Sequence, residues 1–224
     1  MNDIITDEFI QAARDYSYLL ENQYPRKPIL KLIGDRYLLN KTQRVLLSRG
    51  IFMSDEVLKR KEKKTGNIKG EKLYIDGYNV LFTITNYLLG RIVFISNDGF
   101  VRDAGEINEK LQTEKLFYQS IVYLMDYLGK LKPGEIHFIL DKPVPASERL
   151  VNHIAGMINK YSFKGKAWVV ENPDAELIKI SHSIIATSDS EIIDDTTCKV
   201  IDIPYKLLHN RFTPVIPDLS KILS

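Results

Sequence analysis

Three apolar runs of this chain end in an aspartate. Tyr74-Ile75 leads into Asp76, Phe138-Ile139-Leu140 into Asp141, and Ala186-Thr187-Ser188 into Asp189; after Val169-Val170 the acid comes slightly later, at Asp174. In an open parallel sheet the carboxyl ends of the strands share one edge, and ligands bind in the crevice outside it. Acids delivered there repel, by about 4 kcal/mol for a pair ~4 Å apart at an effective dielectric near 20, so a neutralising cation is expected. Carboxylate oxygens select hard ions, Mg²⁺ or Mn²⁺, and such a site suits in-line displacement at phosphorus. One aspartate after one strand is more often a cap or turn residue; three such strands are harder to assign to capping alone. Gly77 follows Asp76 and permits a tight turn, and Asn79 adds an amide from the first helical turn. Ser188 and Ser190 flank Asp189 and are placed to orient it. Asp174 has a further reason for its position, since a carboxylate is favoured in a helix's first turn.

The elements that must position these acids begin at Leu73. Short β-rich runs (Leu73–Ile75, Glu135–Leu140, Ala167–Val170, Ser183–Thr187, Lys199–Ile203) alternate with helical patterns, the signature of an α/β fold. One amphipathic stretch carries Ile107, Leu111, Phe117, Ile121, Leu124, Met125 and Leu128, and a second carries Leu150, Val151, Ile154, Met157, Ile158 and Tyr161. Asn172-Pro173-Asp174 supplies a helix start. Between Gly90 and Asp103 the sequence predicts a hairpin turning at Asp98-Gly99, an insertion on the rim of the sheet. Asp103 there either approaches the acid edge or shapes the hairpin. Lys142, after Asp141, either contacts phosphate or is solvated.

Before residue 73 no β alternation occurs. Apolar residues at helical spacing from Asp7 to Arg49 predict two to four short helices, broken at Tyr24-Pro25 and Gly34; two helices about a Gly34 turn would also suit a helix-turn-helix. The domains expected are 1–58 helical, 59–72 a basic linker with Lys59, Arg60, Lys61, Lys63 and Lys64, and 73–224 α/β. Residues 1–72 carry 15 basic and 10 acidic side chains, the remainder 16 and 19, for a net charge of +2. Arg26, Lys27, Arg36 and Arg44, among Tyr16, Tyr18, Tyr24 and Tyr37, form a plausible platform for phosphates and unpaired bases, or else the tyrosines dock the helices and the basic groups solvate them.

Other chemistries fit the pattern less well. There is no GxxxxGK[ST] loop and no Gly-rich dinucleotide fingerprint. Tyr78 stands where a haloacid-dehalogenase-type phosphatase needs its second aspartate, and the four histidines lack metal-ligand spacing. His137, inside a strand, reads as structural, and the lone Cys198 as packing in a reducing cytoplasm. The N-terminus lacks the basic and apolar segments of a signal peptide, and no run is long enough to span a membrane.

Taken in order, Asp76-Gly-Tyr-Asn-Val, Phe138-Ile-Leu-Asp141, Asp174-Ala-Glu-Leu-Ile and Thr187-Ser-Asp189-Ser resemble the motifs of the PIN-like nucleases, particularly the NYN branch, over about residues 73–204. The first 72 residues, with Asp15-Tyr-Ser-Tyr-Leu-Leu, Tyr24-Pro-Arg-Lys and Asn40-Lys-Thr-Gln-Arg44, resemble the helical domain fused to such domains in a group of prokaryotic proteins of uncharacterised function. The resemblance implies an α/β fold with a PIN-like, open, mostly parallel sheet flanked by helices and preceded by a small all-α domain. It further implies a Mg²⁺- or Mn²⁺-dependent nuclease acting on RNA more than DNA, with Asp76, Asp141, Asp174 and Asp189 as metal-binding and catalytic acids. Asn79, Ser188, Ser190 and Asp103 would support them. The reading from a different class is a catalytically silent nucleic-acid-binding module whose aspartates cap helices.

Overall fold

The computed structural model describes residues 4–105, 115–142 and 147–223; Ile107, Leu111 and residues 143–145 lie outside them. The chain forms two compact units, one from Met1–Glu62, Arg91–Gly105 and Val215–Ser224, the other from Lys63–Gly90 and Glu106–Pro214.

Among the described residues the first unit holds four α-helices, α1 (Asp7–Glu21), α2 (Arg26–Arg36), α3 (Lys41–Gly50) and α4 (Ser54–Lys63). Their starts follow from local chemistry. The Thr6 hydroxyl accepts the Phe9 N–H at 3.2 Å, and Asp7 and Glu8 complement the helix dipole. Asn40 and Gln43 form a reciprocal capping box on α3. The strands β2 (Val93–Ile95) and β3 (Val101–Asp103) pair antiparallel, and the expected turn is present with Gly99 at φ +81°.

Three expectations are corrected here. The hairpin belongs to the helical unit and not to the sheet's rim, because Phe94 is fully buried in a core with Phe9, Tyr16, Leu46, Leu47, Ile51 and Leu219. The same core draws in the C-terminal stretch, whose Asp218 bridges to Ile95. Gly34 does not break α2: it is buried where the Arg44 guanidinium lies across it and a Cβ would collide, so packing overrides its low helix propensity. The helix ends later, with Leu38 at φ +49° and the Leu39 N–H closing on the Gly34 carbonyl at 2.9 Å. Of the expected linker, residues 59–63 complete α4, and Arg60 is 2% exposed.

Arg60 is buried because it is paired. Its guanidinium meets Asp98 at 3.0 Å, and Arg102 meets the same carboxylate at 2.8 and 2.9 Å. The Ser96 hydroxyl joins both Asp98 and Arg102. Phe52 presents its ring to Arg60 at 4.0 Å, Arg102 at 4.9 Å and Arg26 at 5.2 Å.

In the second unit five parallel strands, β1 (Lys72–Asp76), β4 (Glu135–Asp141), β5 (Gly165–Val170), β6 (Ile184–Ala186) and β7 (Lys199–Ile201), lie in the order β5-β4-β1-β6-β7. From β1 the chain winds outward to β4 and β5, then returns to place β6 on the other side of β1. This doubly wound order puts a topological switch point between β1 and β6. The helices α5 (Gly77–Leu88), α6 (Lys115–Leu131), α7 (Ser147–Lys160) and α10 (Ile203–Arg211) pack together on one side, and α8 (Pro173–Ile178) packs with α9 (Ser190–Asp195) on the other. Leu73, Ile75, Ile136, Phe138 and Leu140 are fully buried; Ile139 and Ile185, of opposite parity, pack with Leu177 and Ile192 of α8 and α9. Among the described residues no helix is long and apolar enough to cross a membrane.

Burial pushes the Asp98 carboxyl up, but the Arg102 charge and hydrogen bonds, Ser96 and Arg60 together hold it down at about 2, against a usual 3.8. A lowered folded-state value favours folding above the usual value and loses that contribution as pH falls toward 2. Asp98→Ala is expected to cost roughly 3–5 kcal/mol at neutral pH by leaving two guanidinium groups buried without their partner, and to flatten the acid limb of stability below about pH 4; urea unfolding across pH measures both.

Candidate acid site at the sheet's carboxyl edge

Asp76 ends β1 at the switch point and is 8% exposed. Its Oδ2 accepts the Thr187 hydroxyl at 2.8 Å. The same Thr187 oxygen accepts the Asp189 N–H at 3.0 Å, so one side chain joins the ends of β1 and β6. Asn79, in the first turn of α5, accepts the Ser188 N–H at 3.0 Å and the Ser188 hydroxyl at 2.9 Å. The two crossings fasten the turn after β6 to the turn after β1.

The electrostatics are those of crowded acids. Burial above all, then the charges of Asp189 and Asp174, push the Asp76 carboxyl up to about 7; the Thr187 hydroxyl and the Asn79 N–H oppose them without prevailing. Asp174 is raised too, by burial first and then by Asp189, Glu191 and Asp141. Asp141 is raised by burial and by Glu171. The four expected acids therefore sense one another in a chain from Asp76 through Asp189 and Asp174 to Asp141.

Their local duties differ. Asp189 caps α9, accepting the Glu191 N–H at 2.8 Å and the Ile192 N–H at 3.4 Å. Asp174 lies in the first turn of α8, which Asn172 caps. Asp76 precedes α5 without a side-chain capping hydrogen bond, although the Asn79 N–H in the helix's first turn still favours its charged form. Gly77 serves by close approach: a Cβ there would sit 3.0 Å from the Ile139 carbonyl and collide with the Leu140 side chain. Among the described residues no group of three or more His, Cys, Asp or Glu side chains is arranged to hold a metal ion. The donor set nonetheless fits Mg²⁺ or Mn²⁺ in kind, because Mg²⁺ keeps several waters and is usually held by one or two carboxylates together with substrate phosphates.

Of the supporting residues expected from sequence, Asn79 and Ser188 meet as described, and Ser190 opens α9 beside Asp189. Asp103 falls in the other unit, where its carboxylate accepts the Gly105 N–H at 3.0 Å. Lys142 pairs with Glu171 at 2.5 Å and is largely exposed. Lys27 and Arg36 are exposed, whereas two of the expected binding cations have structural duties. Arg26 pairs with Glu56 at 2.5 Å, and Arg44 reaches the Leu39 carbonyl and Asp35, each at 2.9 Å. Thr187 is the site residue that sequence reading missed; its only signal was its place before Ser188-Asp189.

These features define a doubly wound α/β protein with an acid edge and a helical unit assembled from separate stretches. The chain belongs to the family described as Domain of unknown function (DUF5616), whose family model matches residues 65–206. A second, Protein of unknown function (DUF434), matches residues 8–63, and the two meet where the chain first passes between the units. Over 193 residues the chain is 29% identical to a protein of Methanocaldococcus jannaschii described as Uncharacterized protein MJ0935, covering 85% of this chain and 91% of that one. No solved structure matches the chain.

A raised folded-state value makes Asp76 favour folding most below its usual 3.8 and lose that contribution as pH rises to about 7. Asp76→Asn is therefore expected to be more stable than the parent at pH 8 in EDTA, by a few kcal/mol, with a flatter profile between pH 4 and 7; thermal melts across pH decide it. Gly77→Ala is expected to destabilise by roughly 1–3 kcal/mol, read by urea unfolding.

Proposed function

We propose that the acid edge is a divalent-metal-dependent phosphodiesterase centre and that the protein is a nuclease of PIN-like type, acting on RNA more than on DNA. The observation that carries this reading is Asp76: a carboxylate buried at a topological switch point, making no side-chain capping hydrogen bond, and pushed to about 7 by burial and neighbouring acids. At neutral pH such a group exchanges its proton for a cation at little cost. Asp76 and Asp189 would hold the ion, with Asp174 and Asp141 beside them. When bound it supplies Lewis-acid stabilisation to a phosphoryl oxygen and lowers the pKa of water. Thr187 fixes the Asp76 carboxylate and the Asp189 backbone in one geometry, while Asn79 and Ser188 hold the turn rigid around them. The preference for RNA rests on the family resemblance alone.

A second reading has its own support. Asp189 caps α9 and Asp174 occupies the first turn of α8, duties that suffice to explain two of the acids in a binding module without catalysis. Incubation of structured RNA, single-stranded RNA and DNA with Mg²⁺ or Mn²⁺ separates the two. The nuclease reading expects metal-dependent cleavage by the parent, reduced at least about a hundredfold in Asp76→Asn and in Asp189→Asn with folding intact. Cleavage that survives both substitutions sinks the acid edge, and binding without cleavage by the parent favours the module. Thr187→Val, which keeps the shape and removes the hydroxyl, is expected to weaken Mn²⁺ binding by 10- to 100-fold, measured by calorimetry.

A further inference from the structure

Among the described residues, the side of the sheet that carries α8 and α9 is covered least at its edge strand β5. Each of these helices has six residues and so spans roughly 9 Å, while β4 has seven residues and β5 six, or roughly 20 Å of strand. Both helices pack toward Ile139, Leu177, Ile185 and Ile192. On the same face by strand parity lie Tyr74, His137 and Trp168; Tyr74 and Trp168 are half-buried and pack against those residues, and His137 is 8% exposed. Their rings form a cluster with centroids 4.9 Å (Tyr74–His137), 6.0 Å (His137–Trp168) and 6.4 Å (Tyr74–Trp168) apart. No residue of the edge strand β5 is buried. Lys166 is exposed and holds its Nζ 4.7 Å over the Trp168 ring. Lys72, 46% exposed, pairs with Glu135 at 3.5 Å, an exposed ion pair of little worth that a phosphate can replace. Tyr74 lies two residues before Asp76, and His137 four before Asp141, so the patch shares strands and face with the acid edge.

We propose that this patch binds single-stranded nucleic acid, with the Tyr74 and Trp168 rings against bases and Lys72 and Lys166 against phosphates. Aromatic groups flanked by cations are the chemistry of sequence-tolerant base stacking, whereas lysine is depleted in faces that dock proteins. The inference deepens the nuclease reading by naming the form of the strand, and depends on that reading only for where the strand leads.

Trp168 is the protein's one tryptophan, so its emission reports on the patch directly. With the full chain in EDTA, a short mixed-sequence single-stranded RNA is expected to quench that emission and its perfect duplex to leave it unchanged, with affinity falling as salt rises. Lys72→Glu combined with Lys166→Glu, both surface changes, is expected to weaken binding at least about tenfold, and Trp168→Ala to do the same when a labelled strand is followed by anisotropy. Emission that no strand alters, a duplex that binds as well as the strand, or binding lost on Arg36→Glu but kept in the lysine pair variant overturns the proposal. So does self-association that the lysine pair variant abolishes while RNA has no effect. Quenching without metal-dependent cleavage overturns the acid-edge reading and leaves this one standing; cleavage without quenching does the reverse.

Discussion

A carboxylate buried at the end of a central strand requires a proton, a cation or a full set of hydrogen bonds. The second unit is organised around that requirement at Asp76. The doubly wound strand order brings the turn after β6 beside the turn after β1, which is what lets Thr187 donate to Asp76 across 111 positions of sequence. Gly77 lets α5 come close enough to β4 for Asn79 to reach Ser188. The hydrogen bonds still fall short of compensating the burial, and the other acids worsen the deficit. A fold that kept only structural duties for Asp76 would have little reason to gather acids around it.

The first unit solves the opposite problem, two buried cations with one anion. Arg60 from α4 and Arg102 from β3 share Asp98 from the hairpin turn, and Phe52 offers its ring to both guanidinium groups. Such a cluster adds little net stability compared with apolar packing. It ties the hairpin turn to α4, since Asp98 meets Arg60 and Arg102 at once.

Much of this was legible in the sequence where the signal was local. The five parallel strands, the hairpin turn at Asp98-Gly99 and the helix start at Asn172-Pro173 follow from periodicity and turn chemistry within a few residues. The aspartates at strand ends were visible because each follows an apolar run, and the doubly wound order then brought them to one edge. Gly34 misled because the rule that glycine interrupts helices is local, while the Arg44 side chain that occupies its missing Cβ comes from the next helix. Arg60 read as one of a solvated basic run because its partner Asp98 lies 38 residues away. Thr187 was invisible for the same reason at greater range: a threonine in a strand end looks like β propensity until the strand it touches is known.

The helical unit is begun by the first stretch of chain and finished by the last. Leu219 closes a core whose other walls come from residues 9–51 and from Phe94. During synthesis every strand of the sheet leaves the ribosome before Leu219 does, so the helical unit waits with an open core while the α/β unit can already assemble. The unit that starts first is thus completed last, and through the interval the core that holds Phe94 lacks Leu219.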